Sequence, residues 1–434
     1  MSPVPVSAGA RLLDILQARF TPHFVSLPAA TLTHISPTSV GRRLLKVAGY
    51  SIVRLLGNVL RPIRNRQSLH GVPWLYVVSP NNVDALRFVE RGLPGAVLVA
   101  GQGKSLGRYS AIVNRLSLRR KVLHYGQLPA VWQYIKGAVG QPAVRFFDLI
   151  FAAIGYYEVY RRALRHYRPS AVIFANDHND DARALLLACQ AEGVATAYVQ
   201  HASVSPWFPP LGFDLSLLEG QHALDTYRQC GPISGKVALV GMPKADAYLP
   251  LRNTASAVSR VAIAANLLDP TDALLAALEA VLPVFPDLTF TFRAHPGDAR
   301  NFPRLLRTRF PQLLISEAHT ESIFEFLTRH DALIAADTST HLEATLLNLV
   351  SFYFRFGAAR GFTDDYYGFV RHRLVESVDS LPTLIVKLKE VAQHKSTVYY
   401  QRAAYYCSTL GTSAEGHSED LALDELKTWL TMVS

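Results

Sequence analysis

Ala332-Leu333-Ile334-Ala335-Ala336-Asp337-Thr338-Ser339-Thr340-His341-Leu342-Glu343 passes from an apolar run, through a turn rich in hydroxyls, into a helical pattern. A short apolar run without alternation reads as a strand buried on both faces, and Asp, Ser and Thr before a periodic stretch read as a helix start. Strand, polar turn and helix in succession are the repeating unit of an α/β fold. The same grammar recurs upstream, where residues 288–292 form an apolar strand that runs out into Arg293-Ala294-His295-Pro296-Gly297-Asp298.

Working outward, strands are expected at 261–264, 288–292, 313–315, 332–335 and 351–354, with helices at 270–282, 301–309, 322–328 and 340–347. A second series lies before them. Its strands fall at 74–78, 96–100, 121–124, 171–175, 195–199, 214–218 and 236–240, with a helix at 180–192. One long helix is expected over 143–167, where Phe146, Phe147, Ile150, Ile154, Tyr157 and Tyr160 recur at helical spacing. The polar, small-residue stretch 250–259 reads as a boundary. The 434 residues are too many for one core and suit two domains of roughly 200 residues. The expected organisation is a basic N-terminal segment over 1–70, a first Rossmann-like domain over 71–250, a second over 251–380, and helices over 381–434 that cross back.

Composition narrows the function classes. Hydrophobic residues make up 49% and charged residues 18%, a globular balance. The net charge of +10 favours acidic partners, such as phosphorylated or carboxylated substrates or anionic lipid. Nucleic acid is not expected, since no readout motif accompanies the charge. Cys189, Cys230 and Cys407 are far apart and form no CxxC pair, which disfavours a disulfide framework or a zinc site and suits a reducing cytoplasm. Residues 1–10 lack the basic start and apolar core of an export signal, and no run of about 18 apolar residues reads as a membrane span. Residues 41–66 carry Arg42, Arg43, Lys46, Arg54, Arg61, Arg64 and Arg66 and no acid, interleaved with aliphatics. Two readings are open: a helix lying on an anionic membrane, apolar side down and cations at the phosphates, or a helix packed on the first domain with solvated arginines.

Open parallel sheets bind ligands beyond the carboxyl ends of their strands, so the polar residues there matter most. In the second series, Thr338, Ser339 and Thr340 with the amides opening the helix suit an anion, His295 and Arg293 can donate to a departing phosphate, and Glu343 can take ribose hydroxyls. Helix capping by Asp337 and Thr338 and a plain chain turn at His295-Pro296 are the structural alternatives. In the first series, 171–175 ends in Asn176-Asp177-His178-Asn179-Asp180-Asp181, and 195–199 ends in Gln200-His201-Ala202-Ser203. Asp177 and His201 are candidates for base or nucleophile, with His178, Asp180, Gln200 and Ser203 near an acceptor. Asp180 and Asp181 equally suit the first turn of a helix, and His201 a structural role. Adjacent residues such as Asp177-His178 and Asp180-Asp181 do not converge on one ion, so no metal is expected. Gly101-Gln102-Gly103-Lys104-Ser105 ends like a phosphate loop, but the position of the first glycine holds Leu98.

These residues form a series. Tyr198-Val199-Gln200-His201, Val240-Gly241-Met242-Pro243-Lys244-Ala245-Asp246, Arg293-Ala294-His295-Pro296 and Asp337-Thr338-Ser339-Thr340 with Glu343-Ala344 resemble, in order and spacing, the motifs of bacterial GT-B enzymes that build surface polysaccharides. Those enzymes include sialyl- and polysialyltransferases, Kdo transferases and CDP-glycerol polymerases. The resemblance spans roughly residues 170–355. It implies an α/β chain of two Rossmann-like parallel-sheet domains facing a central cleft, with the nucleotide on the second domain, the acceptor on the first, and no metal or other cofactor. It places Gly241, Lys244, Arg293, His295, Pro296, Asp337, Thr338, Ser339, Thr340 and Glu343 at the donor nucleotide, His295 also at the chemistry, and an acid, Asp177, on the acceptor or sugar. Two departures stand out: Ala202 follows Gln200-His201 where glycine is usual, and Asp337-Thr338-Ser339-Thr340 replaces the commoner Ser-Ser.

The expected function is a cytoplasmic transferase, associated in one reading with the inner membrane face, that moves Kdo or a sialic acid from its CMP form to a surface glycan or lipid-linked acceptor. Transfer of a polyol phosphate from a CDP donor and a non-catalytic nucleotide- or glycan-binding protein are the alternatives.

Overall fold

The computed structural model describes residues 6–27, 29–60, 62–63, 65–298, 300, 302–357 and 365–433, so Arg61 and Arg64 of the basic segment lie outside the described residues. The chain forms two compact units, one of residues 1–218, 223–239 and 419–434, the other of 219–222 and 240–418. Each is built on one parallel sheet, which gives the α/β fold class that the alternating strands and helices imply.

In the first unit seven strands, β1 (Trp74–Tyr76), β2 (Val97–Gly101), β3 (Asn114–Leu116), β4 (Val172–Phe174), β5 (Thr196–Val199), β6 (Leu215–Leu218) and β7 (Lys236–Leu239), lie in the order β3-β2-β1-β4-β5-β6-β7. Trp74 sits opposite both Val97 and Val172, which fixes the register at the centre. Helices cover both faces of such a sheet, so its inner strands are apolar throughout; Trp74, Tyr76, Val99, Val172, Phe174 and Tyr198 share one core. The last helix, Ser418–Val433, joins this unit, with Lys236 pairing to Glu425 at 2.5 Å and Arg91 to Glu419 at 3.1 Å.

Two expectations fail here, and Lys121 bears on both. Residues 121–124 are not a strand but part of a 3-10 run, Arg119–Gln127, and the third strand is β3. Lys121 is fully buried, its Nζ donating to Ala152 O at 2.6 Å and standing 2.9 Å from the centre of the Tyr156 ring. The long helix over 143–167 is three helices, Gln141–Arg145, Phe147–Ala153 and Tyr156–Tyr167. The last break falls at Gly155, whose φ is +80°, where a Cβ would meet the Lys121 backbone at 3.1 Å. Burying Lys121 takes the chain past itself at a point only glycine tolerates.

The N-terminal segment corrects the polarity expected of it. Helix Ala8–Ile15 sinks Leu12 and Ile15 into the first core. Helix Val40–Leu55 packs on the same unit through its cations: Arg43 donates to the carbonyls of Val144 and Arg145, Lys46 pairs with Asp148 at 2.9 Å, and Arg54 reaches Tyr125 Oη and Ala152 O. Arg43, Lys46 and Arg54 therefore point inward, and the aliphatics face out.

In the second unit β8 (Arg260–Ala265), β9 (Thr289–Ala294), β10 (Leu314–Ser316), β11 (Ala332–Ala335), β12 (Val350–Phe354) and β13 (Glu376–Val378) lie in the order β10-β9-β8-β11-β12-β13. The short β13 follows Phe369, Leu374 and Val375, which are buried, and has no counterpart among the expected strands. The fully buried Asp331 carboxylate, ahead of β11, accepts Arg260 N at 2.8 Å, Ser259 N at 3.0 Å and Asn253 Nδ2 at 2.6 Å, and so fastens the base of the sheet. Burial works to raise its pKa, but the donors of Arg260, Ser259 and Asn253 outweigh this and hold it well below the usual carboxylate range. Among the described residues no helix is long and apolar enough to cross a membrane.

Gly155→Ala forces a side chain into left-handed backbone beside Lys121 and is expected to destabilise the first unit by about 1–3 kcal/mol. Urea unfolding followed by near-UV circular dichroism checks this; an unchanged midpoint overturns it.

Candidate functional site

Both sheets reverse their winding once, between β1 and β4 in the first unit and between β8 and β11 in the second. Crossovers leave to opposite faces on the two sides of such a reversal, and an open crevice remains beyond the carboxyl ends of the two strands. Asp177 follows β4, and the 337–340 turn follows β11, so the expected acids and hydroxyls stand at these two points.

In the second unit three strand-end loops are tied together. Asn266, directly after β8, donates from Nδ2 to Asp337 O at 3.1 Å, and Arg300 donates to Asn266 O at 2.9 Å. Arg300 is itself held by the Asp298 carboxylate at 2.6 Å. The 295–300 loop beyond β9 and the 337–340 turn beyond β11 thus share one bridging residue. Asp269 closes the β8 loop by accepting Asn266 N at 2.7 Å, and burial pushes its carboxyl up to about 6.

The polar groups left facing solvent here are mostly donors. His295 is exposed, and Gly297 N–H donates to its Nδ1 at 3.0 Å. With Nδ1 accepting, the neutral ring carries its proton on Nε2. Desolvation by the surrounding protein lowers its pKa from 6.5, which keeps that neutral form at pH 7. Pro296 is exposed beside it, and Thr338, Ser339 and Thr340 are half-buried, with Thr338 Oγ1 and Thr340 Oγ1 3.0 Å apart. Helix Thr340–Leu346 is only seven residues long, so its dipole adds little, and the hydroxyls and the imidazole carry the donor character.

The other expected donor-site residues are engaged within the protein. Arg293 is buried against the Phe326 ring, with Nη1 on Ser316 Oγ at 2.8 Å and Nη2 on Glu321 O at 2.9 Å, so it braces the end of β9. Its position explains this: alternate β9 residues, Phe290 and Phe292, point to the core, and Arg293 points to the opposite face. Glu343 is buried and paired with Lys244 Nζ at 2.5 Å. Burial lifts the nearby Glu219 to about 7, with Lys244 opposing and Glu343 reinforcing the rise. The Asp337 carboxylate accepts Tyr353 Oη at 2.6 Å and Tyr366 N at 3.1 Å. Gly241, at φ +79°, leaves space that the Thr409 and Ser418 hydroxyls occupy, which makes it a packing glycine. His341 is wholly buried between Ser351 Oγ and Ala336 O, and burial lowers its pKa to about 4.

In the first unit Asp177 is 2% exposed. It accepts Tyr227 Oη at 2.5 Å and His178 Nδ1 at 2.9 Å. Burial works to raise its pKa, but the hydrogen bonds from His178 and Tyr227 more than offset this and hold it below the ordinary value. A carboxylate on Nδ1 fixes the imidazole tautomer and leaves Nε2 as the basic atom. His178 is half-buried, packed 4.4 Å from the Phe208 ring and stacked over His201 at 6.4 Å. Asp180 pairs with Arg19 at 3.1 Å, and Asp181, buried, pairs with Lys104 at 2.9 Å, so the lysine of the false phosphate loop is an internal counter-ion. Gln200 turns back onto Ala202 O at 3.0 Å, and Ser203 is buried in the same loop.

Sequence reading overlooked Asn266, Asp269, Arg300, Tyr227 and Tyr353. Asn266 was findable, since it lies two residues past the strand expected at 261–264. Tyr227 and Tyr353 carry no local signal, because they reach Asp177 and Asp337 through tertiary packing alone.

No family description matches the chain, and a search of curated proteins returns no match. Solved structures do share the fold. The UDP-GlcNAc 2-epimerase of Neisseria meningitidis, bound to UDP-GlcNAc, superposes with a TM-score of 0.51 at 11% identity, over 82% of this chain and 100% of that one. MnaA of S. aureus, with UDP, gives 0.50 at 11% identity, over 83% and 97%. The wall teichoic acid polymerase TagF, soaked with CDPG, gives 0.47 at 12%, over 92% and 97%, a likeness too distant to bear on the reaction.

Glu219 provides a pH test of the buried charge cluster. A carboxyl whose folded pKa, about 7, exceeds its ordinary value of 4.5 makes the fold lose stability as pH rises between the two. Glu219→Gln is expected to leave the urea midpoint little changed at pH 5 and to raise stability at pH 8, by on the order of 1–3 kcal/mol. Equal effects at the two pH values overturn the assignment.

Proposed function

We propose that this chain is a GT-B type glycosyltransferase that takes an acidic sugar, Kdo or a sialic acid, from its CMP form, without metal. One observation carries the reading: the His295 loop and the 337–340 turn are both bound to Asn266 at the winding reversal of the second sheet. In this reading the loops joined there supply neutral donors for a phosphate, His295 Nε2–H and the hydroxyls of Thr338, Ser339 and Thr340, where a leaving nucleotide would build negative charge. The net charge of +10 suits a donor bearing both a phosphate and a carboxylate.

His178, held by Asp177, is the base in this proposal. Its Nε2 takes the proton of the acceptor hydroxyl; the acceptor oxygen bonds to the anomeric carbon as the bond from that carbon to phosphate breaks, and CMP leaves with the electron pair. Asp177, enclosed and with both oxygens engaged, orients the ring and stabilises its charged form rather than attacking the sugar. The expected outcome is inversion. Gln200, His201 and Ser203 line the loop beside the base and are proposed at the acceptor. Lys244 and Glu343 act as a pair that shapes the wall of the nucleotide site, and Arg293 and Gly241 hold its backbone.

The test is incubation with CMP-Kdo, CMP-sialic acid, CDP-glycerol and UDP-GlcNAc, with CMP release and sugar products followed by chromatography. CMP from one of the first two is expected. CMP from CDP-glycerol with polyol phosphate transfer moves the reading to a phosphotransferase, interconversion of UDP-GlcNAc moves it to an epimerase, and tight nucleotide binding without turnover to any acceptor moves it to a binding protein. With the active donor, His295→Ala is expected to lower kcat/KM by about 10²-fold. His178→Ala is expected to lower kcat by about 10²-fold or more while nucleotide affinity, measured by calorimetry, stays the same.

A further inference from the structure

The helix Val40–Leu55 and the short helix Gly57–Leu60 after it carry their hydrophobic side outward. Leu45 is 73% exposed, Val59 71%, Leu60 57% and Ile52 56%, with Leu44 and Val53 also exposed. An ordinary surface helix does the reverse, because burying the apolar stripe is what holds it in place. Here Arg43, Lys46 and Arg54 hold it instead, through carbonyls, Asp148 and Tyr125. The patch continues onto the Arg119–Gln127 run, where Leu123 is 71% exposed and Ser117 Oγ, just before it, donates to Asn58 Oδ1 at 3.0 Å. At the other end, a cavity of about 380 Å3 opens beside Val40, walled by Leu128, Pro129, Trp132, Val144 and Phe147. A contiguous apolar surface of this kind on a folded unit marks an interaction site.

Charge indicates what covers it. Residues 15–147 hold eighteen Lys and Arg and only two acids, Asp84 and Glu90. Arg42, Arg66, Arg119 and Arg120 are exposed on the segments that carry the patch or adjoin it. An apolar strip flanked by cations and without acids is complementary to the acyl region and phosphates of an anionic bilayer.

We propose that this face docks on an anionic lipid bilayer, with Leu44, Leu45, Ile52, Val53, Val59 and Leu60 among the acyl chains and Arg42, Arg119 and Arg120 at the headgroup phosphates. The helix lies in the plane of the interface. The apolar cavity by Val40 extends the greasy surface and gives an acyl chain a place to enter. This proposal is independent of the nucleotide chemistry, and its test involves no turnover.

The experiment is flotation of the full chain with vesicles of phosphatidylglycerol and phosphatidylethanolamine, against vesicles of phosphatidylcholine alone. Binding to the anionic vesicles is expected, weakened but not abolished by high salt. The Leu45→Glu/Ile52→Glu double variant, both sites being exposed, is expected to bind at least tenfold more weakly with an unchanged unfolding midpoint. Arg119→Ala/Arg120→Ala is expected to reduce the preference for anionic lipid. Leu45→Trp supplies a second readout, a blue shift of its emission on adding vesicles. Absence of flotation, flotation indifferent to the double variant, or no emission shift overturns the proposal. So does a concentration-dependent dimer, seen by analytical ultracentrifugation, that the double variant dissolves, since a second copy would then be the occupant.

Discussion

Where β8 and β11 lie side by side, the chain leaves them toward opposite faces of the sheet, and no helix can close the gap between their ends. The candidate nucleotide site depends on this constraint. The loops that rim the gap have no helix to lean on, so they hold one another: Asn266 spans from the β8 side to Asp337, and Arg300 clamps Asn266 from the β9 side. Each contact is a single hydrogen bond of modest net worth, but together they remove the freedom that three polar loops would otherwise keep. A preorganised set of donors follows from the way the strands are wound.

The electrostatics of both units have a common pattern. Carboxylates near the strand ends are occupied: Asp177 by Tyr227 and His178, Asp337 by Tyr353, Glu343 by Lys244, Asp181 by Lys104. Burying a carboxylate without partners is expensive, so their partners are obligatory. In the second unit His295 and the hydroxyls of Thr338, Ser339 and Thr340, which are neutral and can donate, stay at least partly exposed, which suits an anion. In the first unit the dyad of Asp177 and His178 presents a basic nitrogen, which suits a hydroxyl group.

The architecture was legible because β-strands buried on both faces leave uninterrupted apolar runs, and nearly every run in residues 171–354 became a strand. Strand-end residues were legible for the same reason. Orientation was not. Arg293 reads as an exposed loop cation, yet the pleat of β9 turns it inside, where Ser316 and Glu321 take its donors. Asp177 reads as the reactive acid, but Tyr227, fifty positions later, encloses it, and no local pattern announces that contact. Lys121 is the sharpest case. A lysine leading two aliphatics reads as the start of a strand, but Lys121 is buried over Tyr156 within a 3-10 run, and its backbone lies against Gly155, where the helix breaks. The basic N-terminal helix had the composition of a surface element, while which side faces out was decided by acceptors elsewhere, Asp148 and the carbonyls of Val144, Arg145 and Ala152.

The last helix, Ser418–Val433, contributes Ala422 and Leu426 to buried positions, and Leu423 lies where Gly92 leaves space for it. It belongs to the unit begun by the earliest residues, although the whole second unit intervenes in the chain. During vectorial synthesis the later unit can therefore reach its final packing while the earlier one is still missing a wall. The nascent first unit has to wait, with the surface around Gly92 uncovered, until translation has passed Leu423.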